Sequence, residues 1–167
     1  MIKPDFLLDN IYCLTDEFLS ENNIKAIIFD IDNTLVGFTV KQPDEKVTVF
    51  LDSLKKKGIK IAVASNNNRE RVSLFCKDME IPFKWRACKP LPFAIFAIAK
   101  QMKVKCKNIA LVGDQVFTDV WGANFCGMTS VMVDIIDTKE TMLFKIKRTL
   151  EKPIINAKRR EDSKKND

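Results

Sequence analysis

From residue 25 onward, short apolar runs alternate with longer amphipathic stretches. Runs such as Ala26-Ile27-Ile28-Phe29, Ile61-Ala62-Val63-Ala64 and Ile109-Ala110-Leu111-Val112 show no polar alternation, as expected of strands buried on both faces. The pattern predicts strands at about 25–29, 59–64, 82–86, 109–112 and 129–133, with helices at about 43–57, 69–78, 91–102 and 118–125 between them. That alternation predicts an α/β fold in which helices cover both faces of a five-stranded, mostly parallel sheet.

Local signals support individual elements. Thr15 suits a helix start, and Pro43-Asp44-Glu45 opens a helix that the basic run Lys55-Lys56-Lys57 and then Gly58 close. A last helix at about 138–151 is expected to pack Met142, Leu143, Ile146 and Leu150 on the sheet and to stop at Pro153. This divides the chain into one domain over residues 1–152 and a basic tail over 153–167, expected to be disordered.

Composition narrows the chemistry. The 167 residues are 46% hydrophobic and 30% charged, which suits one domain with its own core. No apolar run approaches the roughly 20 residues needed to span a bilayer, and Asp5 and Asp9 stand where a leader would be basic. The five cysteines form no C-x-x-C pair, so reduced thiols and a cytoplasmic location are expected. There is no histidine, which excludes Ser-His-Asp and Cys-His catalysis and leaves proton transfer to carboxylates, Lys, Tyr or Cys. Residues 145–167 hold nine Lys/Arg against four Asp/Glu, +5 of the total +6, so the rest of the chain is nearly neutral. A basic terminus of this kind is commonly a solvated tail, and it can also meet an anionic membrane surface peripherally.

The candidate chemistry sits just after the strands, where open parallel sheets bind ligands. Asp30 and Asp32 follow the first strand, Ser65-Asn66-Asn67 the second, Lys89-Pro90 the third, and Gly113-Asp114 with Thr118-Asp119 the fourth. Carboxylates two apart in an extended segment point into one pocket, and close carboxylates call for a cation. Oxygen ligands and one lysine, without histidine, fit Mg²⁺-assisted phosphoryl transfer, with Asp30 and Asp114 as metal ligands and Asp119 bracing them. Asp30 is the natural nucleophile and Asp32 the acid and base. Ser65, the Asn66 N–H and Lys89 are expected to hold the phosphate, with the Thr34 hydroxyl added to that set.

The ordered set Asp30-x-Asp32-x-Thr34, Ser65, Lys89 and Gly113-Asp114-x-x-x-Thr118-Asp119 resembles the haloacid dehalogenase (HAD) superfamily of phosphohydrolases. Finer detail in Ser65-Asn66-Asn67-Asn68, Phe75-Cys76, Ile81-Pro82-Phe83, Lys89-Pro90 and Gly113-Asp114-Gln115 is similar to its YqeG-type branch, which includes phosphatidylglycerophosphate phosphatases. The resemblance covers about residues 1–150. It implies a three-layer Rossmann-like fold of the capless class, with Asp30 as nucleophile and Asp32 as acid/base whose backbone carbonyl also meets Mg²⁺. It further implies Ser65 and Lys89 as phosphate binders and Asp114 as the remaining metal ligand. Cys88 departs from the pattern, because a basic residue is expected before the lysine.

Bland readings compete with this one. A Ca²⁺ loop also opens with alternating acids, but Leu35 and Lys41 stand where that loop needs glycine and glutamate. A receiver domain places its phosphoacceptor after a later strand. A silent fold serving as a basic RNA- or ribosome-binding module or scaffold is the non-enzymatic alternative, which the intact acid set disfavours; nucleic acid is not the expected partner. Only 32 residues separate Asp32 from Ser65 and 23 separate Ser65 from Lys89, too few for a cap domain, so an open site is expected. An uncovered site suits a large substrate, first a lipid head group such as that of phosphatidylglycerophosphate and otherwise a soluble phosphosugar, nucleotide or phosphoprotein.

Overall fold

The computed structural model describes residues 2–138 and 142–164, with Met142 and Leu143 described by their backbone alone. Six strands form one sheet in which every pairing is parallel: β1 (Phe6–Leu8), β2 (Ala26–Phe29), β3 (Lys60–Ala64), β4 (Phe83–Lys84), β5 (Ile109–Gly113) and β6 (Thr129–Val133). Their spatial order is β1-β6-β5-β2-β3-β4. The expected five strands therefore become six. The addition, β1, is three residues without alternation, too short for a pattern to show, and it pairs with β6 only because the chain returns there.

Strand period 2 divides the core into two layers. Ile27 and Phe29 of β2 pack on one face with Ile61, Val63, Ala110 and Val112, beneath helices α1 (Asp16–Glu21), α2 (Glu45–Lys56) and α3 (Arg69–Cys76). Ala26 and Ile28 face the other way, with Ala62, Ala64, Ile109 and Leu111, beneath α4 (Phe93–Met102) and α5 (Trp121–Cys126). In α2 the buried positions Val47, Leu51 and Leu54 follow helical spacing. Asp44 caps its first turn by accepting from Val47 N at 2.8 Å, and Gly58 follows its end at φ 81°, a conformation that costs glycine nothing. Asn68 caps α3 in the same way, accepting from Arg71 N at 2.9 Å.

The C-terminal segment departs from expectation. The last helix, α6 (Met142–Ser163), runs through Pro153 and well into the segment expected to be disordered. Its expected apolar stripe does not pack on the sheet, since Ile146 is 54% and Leu150 60% exposed, while the side chains of Met142 and Leu143 lie outside the described residues. Packing comes instead from Ile154 and Ile155, which lie against Val116, Val120 and Met132. Lys158 is buried and paired with Asp162 at 2.9 Å. The apolar period continues beyond Pro153, and tertiary burial outweighs the lost backbone bond. Among the described residues no helix is long and apolar enough to cross a membrane.

Ile154 and Ile155 are half-buried, so replacing both by Ala should lower stability by about 2 kcal/mol. A urea titration checks this: an unchanged midpoint would return the segment to the disordered tail that composition suggests.

Candidate active site

The sheet order reverses around β2, whose neighbours β3 and β5 lead away in opposite directions. Asp30 N continues the β2–β5 ladder by donating to Val112 O at 2.9 Å, which seats Asp30 beside Gly113-Asp114. The chain then turns tightly: Thr34, Leu35 and Val36 all donate their N–H to Ile31 O, and Asn33 takes φ 60°. Asparagine tolerates that left-handed position better than most residues. The turn brings Asp32 back over the same rim.

On the β5 side, Val116–Val120 forms a π-helical turn leading into α5, where the sequence predicts one helix over 118–125. The turn folds the Asp119 carboxylate back to accept from Gln115 N at 3.2 Å and from Thr118 Oγ at 3.3 Å. Gly113 is required by this approach: a Cβ there would lie 2.2 Å from Asp119 Cγ.

Lys89 arrives from beyond β4 in a turn that Asn66 clamps, its Oδ1 accepting from Lys89 N at 2.7 Å and its Nδ2 donating to Lys89 O at 3.0 Å. The ammonium group is buried, 2.6 Å from Asp119 Oδ1 and 3.0 Å from Asp30 Oδ1. Asp32 is held from α3, with Arg71 Nη2 at 3.0 Å from Oδ1 and Asn67 Nδ2 at 3.1 Å from Oδ2. Asp114 accepts from Thr34 Oγ at 3.3 Å and from the Arg148 guanidinium of α6.

The predicted residues Asp30, Asp32, Thr34, Asn66, Lys89, Asp114 and Asp119 thus lie on one rim, and Ser65 directly follows β3, where its hydroxyl accepts from Asn67 N at 3.1 Å; three details differ from expectation. The Thr34 hydroxyl, expected on a phosphate, donates to Asp114. The Asn66 side chain holds Lys89 in position. The expected open rim is partly roofed: α6 lays Arg148 on Asp114, and Phe144 meets Phe38 in a tilted contact with ring centres 5.2 Å apart. Cys88 is exposed at φ 54°, and its thiol donates to Arg86 O. Sequence reasoning missed the parts played by Arg71, Arg148 and Glu151. Arg71 had a readable signal, three residues after the cap Asn68 and so one turn into α3; the other two did not.

Burial sets the electrostatics. Removal from water pushes Asp30 up to about 6 and Asp114 up to about 7, since in both cases desolvation outweighs the neighbouring cation and Asp119 adds repulsion. Lys89 moves upward despite its own desolvation, because two carboxylates hold its proton. It lies closer to Asp119 than to Asp30, so Asp30 is the less compensated of the two. Oxygens of Asp30, Asp114 and Asp119 converge within 4.8 Å of one another, all buried, and an oxygen-only donor set of this kind fits a hard divalent cation such as Mg²⁺. Within this set Asp119 serves Lys89, Thr118 and Gln115, Asp114 meets Thr34 and Arg148, and Asp30 meets Lys89 alone among the described residues.

Comparisons with known proteins agree with this geometry. The model of a hydrolase family described as haloacid dehalogenase-like hydrolase matches residues 36–127, just over half of the chain. The curated protein "Probable phosphatase YqeG" of Bacillus subtilis (strain 168) is 34% identical over 157 residues, which cover 94% of this chain and 91% of that protein. Among solved structures, the cobalt-bound deoxy-D-mannose-octulosonate 8-phosphate phosphatase (YrbI) of Haemophilus influenzae superposes with a TM-score of 0.55 at 22% identity, over 66% of this chain and 68% of its own. CbbY of Rhodobacter sphaeroides in complex with phosphate gives 0.53 at 13%, over 71% of this chain and 90% of its own. These two likenesses show the fold. The chain belongs to the haloacid dehalogenase-like hydrolases.

The raised carboxyls make stability depend on pH with a definite sign. Unfolded carboxyls titrate near pH 4, so between about 4 and 7 the folded state keeps protons that the unfolded state has released, and stability falls as pH rises. Melting in EDTA should accordingly drop from about pH 5 to about pH 7.5, and Mg²⁺ should restore more stability at the higher pH. A Mg²⁺ response that does not grow with pH would contradict the assignment.

Proposed function

We propose that this hydrolase cleaves phosphomonoesters in two steps through an aspartyl-phosphate on Asp30, that Asp30 and Asp114 would hold the Mg²⁺, and that its substrate is the lipid phosphatidylglycerophosphate. As an enzyme it is a phosphoric monoester hydrolase; the metal, the residue roles and the lipid are what the proposal adds. The observation that carries the reading is the buried convergence of Asp30, Asp114 and Asp119, two of which also hold Lys89.

In the first step an Asp30 oxygen attacks phosphorus, the P–O bond to the alcohol breaks, and the leaving oxygen takes a proton from Asp32. In the second, water attacks the same phosphorus and gives its proton to Asp32, the Asp30–phosphorus bond breaks, and inorganic phosphate departs. Arg71 and Asn67 fix the Asp32 carboxylate in one orientation for both transfers. Lys89, with the Ser65 hydroxyl and the Asn66 N–H, balances the equatorial oxygens of the transferring group. Bound Mg²⁺ supplies charge neutralisation at the nucleophile and the phosphoryl oxygen. The Asp32 backbone carbonyl and, through Asp114, Thr34 complete the proposed metal surroundings, with Asp119 bracing them.

The lipid rests on the family resemblance, and the surface supports it. Immediately after Lys89, the side chains of Leu91, Phe93 and Phe96 are exposed, Phe93 to 76%. They adjoin a second apolar face on α5, where the Trp121 and Phe125 rings stack at 5.9 Å, because Gly122 lies against Pro90 and Ile95 at the start of α4. Ile146 and Leu150 on α6 are exposed as well, beside Lys145, Lys147 and Lys152. Exposed apolar side chains, those of α6 beside cations, suit an interface that is apolar within and anionic at its surface, so peripheral contact with an anionic membrane is part of the reading.

The test is phosphate release from vesicles containing phosphatidylglycerophosphate or phosphatidate, compared with sugar phosphates, nucleotides and phosphopeptides. The glycerophosphate lipid should give the highest kcat/KM, EDTA should abolish turnover, and Asp30→Asn should lower it by roughly a thousandfold or more. A sugar phosphate or phosphopeptide ranking first would move the reading to a soluble substrate; turnover in EDTA would remove the metal roles.

A further inference from the structure

The last helix brings both a cation and a carboxylate to the metal side of the site. Arg148 donates from Nη1 to the Asp114 backbone carbonyl and from Nη2 to Asp114 Oδ2. One turn further along α6, Glu151 is fully buried; its Oε1 accepts from Phe117 N at 3.2 Å, while its Oε2 forms no hydrogen bond and lies 3.7 Å from Arg148 Nη1. The guanidinium thus stands between two buried carboxylates, bonded to the first and close to the second.

Both oxygens of Asp114 are in use, Oδ1 with Thr34 and Oδ2 with Arg148. A divalent cation cannot take Oδ2 while the guanidinium holds it, because two cations within a few ångströms in a buried site repel strongly. Glu151 offers the displaced guanidinium a destination on the same helix, three residues away, where a small rotation turns a 3.7 Å approach into a hydrogen-bonded pair.

We infer that Arg148 is a positioning residue that competes with the metal for Asp114, and that Glu151 receives its guanidinium when the metal binds. This rests on the Mg²⁺ reading above and adds a link between metal occupancy and α6. The helix is also tied across the site by Phe144 on Phe38 and by Lys147 on Gln115 at 3.4 Å, so exchange at Asp114 changes one of several contacts that hold the roof. Asp114 lies within residues 36–127, the span that the family model matches, and Arg148 lies beyond it on the C-terminal helix.

The experiment is Mg²⁺ titration calorimetry on the full chain without substrate, with folding of each variant checked by circular dichroism. Arg148→Gln should tighten Mg²⁺ binding roughly tenfold, and Arg148→Lys, which keeps the charge and loses the fork, should fall between it and the wild type. Glu151→Gln, isosteric and still able to accept from Phe117, should weaken binding several-fold, because the displaced guanidinium then loses the charge of the carboxylate beside it. The double variant decides between a relay and plain electrostatics. With Arg148 already replaced, Glu151→Gln should have almost no effect. An equal weakening in both backgrounds would overturn the relay, as would unchanged or weaker binding in both Arg148 variants. If the wild type binds no Mg²⁺, the metal reading falls and the relay falls with it.

Discussion

Asp30, Asp114 and Asp119 lie at the ends of two adjacent parallel strands, away from water, with one ammonium group shared by Asp30 and Asp119 and the Arg148 guanidinium on Asp114. Lys89 sits 2.6 Å from Asp119 and 3.0 Å from Asp30, and much of the surrounding architecture serves to keep it there. Asn66 grips its backbone from both sides, Gly113 makes room for Asp119, and the π-helical turn after β5 aims that carboxylate inward. A buried pair of this kind adds little to stability on balance, because desolvation consumes most of the attraction. What it does here is set unequal electrostatic environments within a single cluster: Asp119 keeps the lysine, and Asp30 is left partly uncompensated and receptive to a further cation.

Much of this was legible in the sequence, and the reason is geometric. A buried parallel strand leaves an unbroken apolar run, and the residue after it lies on a known rim, so Asp30, Ser65, Lys89 and Asp114 could be placed by counting. The caps Thr15 and Asp44 were equally local. Less visible were features that depend on where distant segments meet. β1 exists only through its pairing with β6, and the turn at 116–120 widens to a π-helical one where Asp119 reaches back over Gly113. Thr34 and Asn66 were recognised as site residues, but the atoms they touch belong to residues far along the chain.

The C-terminal helix shows the same limit most clearly. Its basic composition and Pro153 read as a solvated tail, whereas Ile154 and Ile155 find an apolar patch formed by Val116, Val120 and Met132, and Arg148 and Glu151 thereby come to lie beside Asp114. Charge counting treats Arg148 as one of many surface cations. Only the packing of α6 makes it a contact of a buried carboxylate. The same packing leaves Ile146 and Leu150 facing outward, so the helix contributes to both the site and the exposed apolar rim.

Asp30 and Asp32, two residues apart, have different neighbours and hence different capacities. Asp30 faces Lys89 and the acid cluster, while Asp32, equally buried, is oriented by Arg71 and Asn67. The account assigns phosphorus to the first and protons to the second. Its most direct test is borohydride reduction of the enzyme quenched during turnover, followed by peptide mass spectrometry, since an acyl phosphate on aspartate is reduced to homoserine. The account predicts homoserine at position 30 in the presence of Mg²⁺ and substrate; reduction at any other aspartate, or none during active turnover, would contradict it.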